Sequence, residues 1–202
     1  MLSGRISVIS IISVCIIASM LFFYNLQYRD FWAPDEGDFA EIVTELKDNF
    51  VVPHLNGKPY GEKPPLFYYI VYASKISLPS LKDEVSMRVP TALFAFLFII
   101  FTFITIRKFF DKEVATVTTF ILMTTPLFYW QARYLQVDMI FSCFLAGSLF
   151  FFLWYYHTNR AYFLYLFFLC SGLAFMIKGP LSIVLIFPVV FCFCCTRKIL
   201  AF

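Results

Sequence analysis

The stretch PLFYYIVYASK, residues 65–75, runs apolar from Leu66 to Ala73 and then meets Ser74 and Lys75. A helix needs about 20 apolar residues to cross a hydrocarbon core roughly 30 Å thick, and runs of roughly 10–14 lie in the interface instead. Pro79 closes the stretch on its far side. If 65–74 does not cross, Arg107, Lys108 and Lys112 fall on the same side as Arg5, together with Arg160 and the Arg197–Lys198 pair. That distribution follows the positive-inside rule at every turn, whereas a crossing would move those basic turns outside. We therefore read 65–74 as an interfacial helix. The fold class follows: an all-α polytopic membrane protein with about six transmembrane helices and amphipathic interfacial helices in its first outer loop.

Composition agrees. Apolar residues make up 61% of the chain, charged residues 14%, and the mean hydropathy is +0.79, against about half apolar and a quarter charged in soluble domains. Runs long enough to span lie at 6–26, 89–106, 114–131, 138–157, 162–177 and 181–196. The first has no small-residue cleavage site after a short apolar core, so it is expected to be retained as a signal anchor. The expected location is the cell (inner) membrane, multi-pass, with the N-terminus cytoplasmic and the working face periplasmic or extracellular. The six cysteines all sit in apolar runs, without zinc spacing, and are read as packing or lipid-facing residues. Nothing in the charge pattern calls for a nucleic-acid partner.

The polar content is concentrated. Of the 13 acids, 10 fall within the first outer loop, 27–87, against six Lys or Arg. Its PDEGDFAEI segment, 34–42, opens an amphipathic helix over 34–49: Phe39, Ile42, Val43 and Leu46 recur at i, i+3, i+4 and i+7. Asp35 and Glu36 in its first turn complement the helix dipole, an effect worth only ~0.3–1 kcal/mol. Beside a bilayer, a carboxylate is also poorly solvated and suited to act as a base. Further on, Glu62-Lys63-Pro64-Pro65 forms a stiff corner at the headgroup level. There Lys63 is either a snorkelling lysine or a phosphate ligand. His54 is a possible base or ligand, though a lone loop histidine is more often a polar filler. Asp138 opens a span, either as a helix N-cap or as a functional acid at a helix mouth. Arg133 before it is placed to pair with Asp138 or with a phosphate. Lys178 in the Lys178-Gly179-Pro180 turn is either a phosphate contact or an interfacial anchor.

Four motifs together, PDEGDFAEI, VVPHLNGKPYGEKPPLFYY, RYLQVDMIF and FMIKGPLSIV, resemble membrane glycosyltransferases of the GT-C class. The likeness is to the bacterial aminoarabinose transferases of lipid A and the dolichyl-phosphate-mannose protein mannosyltransferases. It covers residues 1–202 as the N-terminal transmembrane part of such an enzyme, with the family's C-terminal part expected to be absent. The resemblance implies a polyprenyl-phosphate-linked sugar donor, a lipid A-like or protein acceptor, and reaction on the outer face. It assigns Asp35 as the catalytic carboxylate with Glu36 beside it, Lys63 as a donor-phosphate contact, and Asp138 as the acid of the second outer loop. Glu62 matches a metal-holding position with Tyr60 next to it, so a divalent metal ion is the cofactor it would bring. Two rival expectations remain. One is a truncated, inactive transferase or a lipid-phosphate-binding accessory protein. The other is a flippase, which would need ionisable groups deep within spans.

Overall fold

The computed structural model describes the backbone of residues 2–200 and the side chains of 10–196. Among the described residues nine helices and one short hairpin follow in the order α1 (Leu2–Phe23), α2 (Asp35–Glu45), β1 (His54–Leu55), β2 (Lys58–Pro59), α3 (Leu66–Ser77), α4 (Asp83–Phe109), α5 (Lys112–Thr124), α6 (Pro126–Ala132), α7 (Val137–Thr158), α8 (Ala161–Lys178) and α9 (Leu181–Leu200). Three of them, α4, α7 and α8, are by themselves long and apolar enough to cross a membrane. At 1.5 Å per residue, the 27 residues of α4 reach about 40 Å. Ser10–Phe23 and Leu181–Thr196 are shorter apolar helical stretches. The chain is a helical membrane protein.

The span expected over 114–131 is not one helix. Pro126 lacks an N–H and its ring disfavours helical backbone at the residue before it. Accordingly Thr125 is extended (φ −61°, ψ 124°) and Pro126 starts a new helix. The segment 65–74 is helical as α3, whose 12 residues cover about 18 Å, short of the hydrocarbon thickness. Its Phe67, Tyr68 and Val71 are buried.

One end of the bundle carries the first loop, the 133–136 turn and the Lys178-Gly179-Pro180 turn. The guanidinium of Arg88 in α4 reaches the Leu26 carbonyl just past α1, and Lys178 at the end of α8 meets Asp138 at the start of α7. At the opposite end Phe109 lies 4.5 Å from the His157 ring, and Trp154 lies 5.2 Å from Phe163. Arg107, Lys108 and Lys112 belong to that second end.

Two apolar cores fill the bundle. α1, α4, α5 and α6 meet around Val14, Ala18, Phe22, Ala92, Ala95, Ile99 and Ala115, where the alanines let backbones approach closely. The other core lies under the loops: Phe39, Ile42, Val43 and Leu46 of the α2 face pack on α3, on Leu135 and Ile140, and on Ala174 and Ile177. Burying each large side chain of that face contributes up to ~1.5–3 kcal/mol. The amphipathic pattern of 34–49 becomes a helix only over 35–45, with Leu46 as its C-cap and turns beyond it, and its apolar face packs inward on the protein.

Local chemistry fixes the loop. Asn56 and Gly57 both have positive φ (53° and 73°), the requirement of a tight two-residue turn, and they close the β1–β2 hairpin. The Gly57 N–H then donates to the Glu45 carboxylate, tying the hairpin to α2. Pro90 within α4 cannot bond the Ser86 carbonyl one turn back, and the Ser74 hydroxyl of α3 takes that acceptor at 2.6 Å.

Candidate active site

The two acids at the start of α2 point to different worlds. Asp35 is exposed; Glu36 is 1% exposed. Glu36 Oε1 accepts from Arg88 Nε at 2.9 Å and from the Leu135 N–H at 2.6 Å, and its Oε2 accepts from Arg88 Nη2 and the Trp32 N–H, both at 2.9 Å. Arg88, equally buried, also donates to the carbonyls of Leu26, Arg29 and Asp30, so all five of its N–H groups are engaged. A charged pair this deep survives only with such complete satisfaction. Glu36 therefore acts here as a structural pin: its lone pairs are occupied and its surface is closed. Grouping it with Asp35 as a catalytic acid did not anticipate this contact, and Arg88 drew no assignment because it precedes its span by one position and looks like an ordinary basic flank. A lone basic residue at a helix mouth, with an unassigned acid upstream, is the signal that points to such a pair.

The pin brings the loops together. Through Glu36, the start of α2 is joined to Leu135 and hence to the 133–138 turn. Asp35 borders a cleft of about 150 Å³ with Trp32, Trp130, Tyr134 and Gln136. Neither Asp35 nor Asp138 is an N-cap: those positions fall to Pro34 and Gln136 without a side-chain cap bond.

Lys178 donates to Asp138 Oδ1, at side-chain exposures of 22% and 43%. Arg133 does not make that pair. Its Nη1 donates to the Leu21 carbonyl at 2.7 Å, serving the open C-terminal end of α1. Gly179 adopts φ 63°, ψ −140°, and a Cβ there would lie 3.9 Å from Pro64. The Lys178-Gly179-Pro180 turn therefore abuts the Glu62–Pro65 corner, although more than 100 residues separate them. Lys63 stands half-buried at that corner, its Nζ 4.4 Å from the Phe39 ring centroid. Among the described residues no carboxylate pairs with Lys63. An ammonium held on an aromatic face and lacking a counter-charge is well suited to a phosphate.

The remaining expected residues are peripheral. His54 Nδ1 lies 2.7 Å from the Val52 carbonyl, a local turn contact. The Tyr60 hydroxyl donates to exposed Glu62 at 3.3 Å. Burial, with Glu62 nearby, raises the Tyr60 pKa. Its ring is edge-on to Tyr68, whose buried hydroxyl has no hydrogen bond of normal geometry. Among the described residues no group of three His, Cys, Asp or Glu side chains could hold a metal ion. One carboxylate beside a phenol falls short of the donor set a divalent cation requires, so no chemical step is assigned to a metal.

With this geometry in place, likenesses to known proteins are informative. The sequence pattern of the dolichyl-phosphate-mannose-protein mannosyltransferases matches residues 7–200. An uncharacterised protein of Aquifex aeolicus (strain VF5) is 32% identical over 177 residues, 85% of this chain and 35% of that one. An undecaprenyl phosphate-alpha-4-amino-4-deoxy-L-arabinose arabinosyl transferase of Wigglesworthia glossinidia brevipalpis is 27% identical over 197 residues, 93% of this chain and 34% of that one. The chain thus spans about a third of the length of the curated relatives it matches. In fold, it is similar to the crystal structure of ArnT from Cupriavidus metallidurans in the apo state. The TM-score is 0.84 at 24% identity, covering 93% of this chain and 36% of that one. For the same protein bound to undecaprenyl phosphate, the TM-score is 0.78, over 86% and 33%.

Proposed function

We propose that this chain, which belongs to the dolichyl-phosphate-mannose-protein mannosyltransferase family, works in sugar transfer from a polyprenyl-phosphate donor at the outer face of the cell membrane, its N-terminus in the cytoplasm. The observation that carries this is convergence. Asp35, the Asp138–Lys178 pair and the unpaired ammonium of Lys63 are held on one platform by the Glu36 pin and the Gly179–Pro64 contact. The name of a relative that acts with undecaprenyl phosphate supports the donor class.

In this mechanism Asp35 accepts the proton of an acceptor hydroxyl as the oxygen attacks the anomeric carbon. The bond from that carbon to the phosphate oxygen breaks, and Lys63, aided by Lys178, neutralises the charge on the departing polyprenyl phosphate. Direct displacement inverts the anomeric centre. With a phosphate acceptor, as on lipid A, no proton need be removed and Asp35 orients the nucleophile instead. Asp138 holds Lys178 in position.

The test is transfer of radiolabelled sugar from a polyprenyl-phosphate donor by the chain in liposomes. Asp35→Asn should lower transfer by at least about 100-fold, the scale of a lost general base, and leave the melting temperature unchanged. Native-level transfer by that variant would remove Asp35 from the mechanism. Donor binding without transfer by the unsubstituted chain would favour the lipid-phosphate-binding alternative.

A further inference from the structure

A second cleft, of about 240 Å³, opens at the same end of the bundle, past the C-terminus of α1. Tyr28, Arg29, Arg88, Trp130, Arg133 and Tyr134 border it. Three guanidinium groups meet there. The Arg88 charge is spent on Glu36, leaving Arg29 and Arg133 without a carboxylate among the described residues. Arg133 keeps free N–H groups beyond its two carbonyl contacts. The Arg29 guanidinium donates no hydrogen bond among the described residues and is held by stacking. Its Cζ lies 3.9 Å from the Tyr134 ring centroid, 4.9 Å from Trp32 and 5.3 Å from Trp130. Burial, together with the like charges of Arg88 and Arg133, lowers the Arg29 pKa. Two half-buried guanidinium ions facing one space, neither with a carboxylate partner, would be relieved by an anion.

The surroundings identify which kind of anion. Tyr24, Tyr28, Trp32 and Trp130 are 74%, 79%, 56% and 45% exposed and ring this end of α1, the aromatic girdle found at headgroup depth. Along the neighbouring helices Ile16, Met20 and Ile121 are exposed by 55%, 67% and 63%, a surface for acyl chains. We infer that the Arg29–Arg133 cleft binds the phosphate of a membrane lipid, at a position separate from the Lys63 corner. An acceptor lipid and an ordinary anionic phospholipid both present such a phosphate, and the site stands whether or not the chain transfers sugar.

Trp32 and Trp130 report on the cleft, whereas Trp154 packs at the opposite end of the bundle. The experiment titrates the chain, in phosphatidylcholine nanodiscs, with phosphatidic acid, with a phosphorylated glucosamine glycolipid and with inorganic phosphate, reading tryptophan fluorescence. A saturable change with lipid phosphate is expected, weakened at least tenfold in Arg29→Gln and persisting in Lys63→Ala. Glycolipid binding at least tenfold tighter than phosphatidic acid assigns the site to an acceptor; equal binding assigns it to bulk phospholipid. Should Arg29→Gln lose the native melting transition, Arg29→Lys and Arg133→Lys, which keep charge but not the planar fork, should weaken binding severalfold. No saturable change, native affinity in the arginine variants, loss of binding in Lys63→Ala, or inorganic phosphate binding as tightly as the lipids would overturn the proposal.

Discussion

Replacing Glu36 by glutamine probes the loop platform most directly. Each carboxylate oxygen accepts one guanidinium N–H and one backbone N–H. Whichever way the glutamine amide is turned, its NH2 therefore faces two donors, and those two lose their acceptor. An orphaned buried donor costs about 1–3 kcal/mol. Removing one partner of a buried ion pair costs about 3–5 kcal/mol, which already contains much of that loss. Taking the latter as the total and roughly 2–4 °C per kcal/mol for a chain of this size, Glu36→Gln should melt about 6–20 °C lower. The assay is circular dichroism of the purified chain in detergent micelles, with Glu36→Asp as a charge-keeping control that should recover part of the loss. A Glu36→Gln melting temperature within about 2 °C of native would refute the claim that this pair holds the platform.

Other outcomes follow from neighbouring features. Gly179→Ala should destabilise by about 1–3 kcal/mol through its positive φ alone, since a methyl group would meet Pro64 only at 3.9 Å; thermal melting reads it, and a neutral result would deny the strain. The raised Tyr60 pKa means that folding favours the protonated phenol. Its contribution is complete below the unfolded value of about 10 and fades as pH climbs through the higher folded one. Tyr60→Phe should therefore flatten the alkaline fall in stability measured by melting against pH, and an unchanged slope would contradict this. With the six native cysteines replaced, Asp35→Cys and Asp138→Cys should both react with a membrane-impermeant maleimide from the same side of sealed vesicles. Labelling from opposite sides would dismantle the catalytic arrangement.

The helices and the amphipathic first loop were legible because they depend on local patterns: the apolar period of Phe39, Ile42, Val43 and Leu46 maps directly onto buried positions. The break at Thr125–Pro126 was also written locally, in a proline that hydropathy averaging conceals. What escaped was partnership. Nothing near Glu36 indicates that its charge is matched 52 residues away by Arg88. Nor does the spacing of Arg133 and Asp138 reveal that one serves the end of α1 while the other meets Lys178. Both pairings depend on which helix mouths become neighbours, a property of bundle topology. The contact between the Lys178-Gly179-Pro180 turn and Pro64 is of the same kind.

The shell around Glu36 also imposes an order of assembly on the growing chain. When Arg88 enters the membrane with α4, the carbonyls of Leu26, Arg29 and Asp30 and the Glu36 carboxylate have already been synthesised. The guanidinium therefore meets its acceptors on arrival, and α1 with α4 forms a charge-balanced insertion unit. Leu135 comes later, and its amide locks a carboxylate that is already neutralised. Cysteines at positions 37 and 89, which leave the Glu36–Arg88 pair in place, should thus crosslink in nascent chains stalled just after α4, before α7 exists; crosslinking that waits for residue 135 would reverse the order.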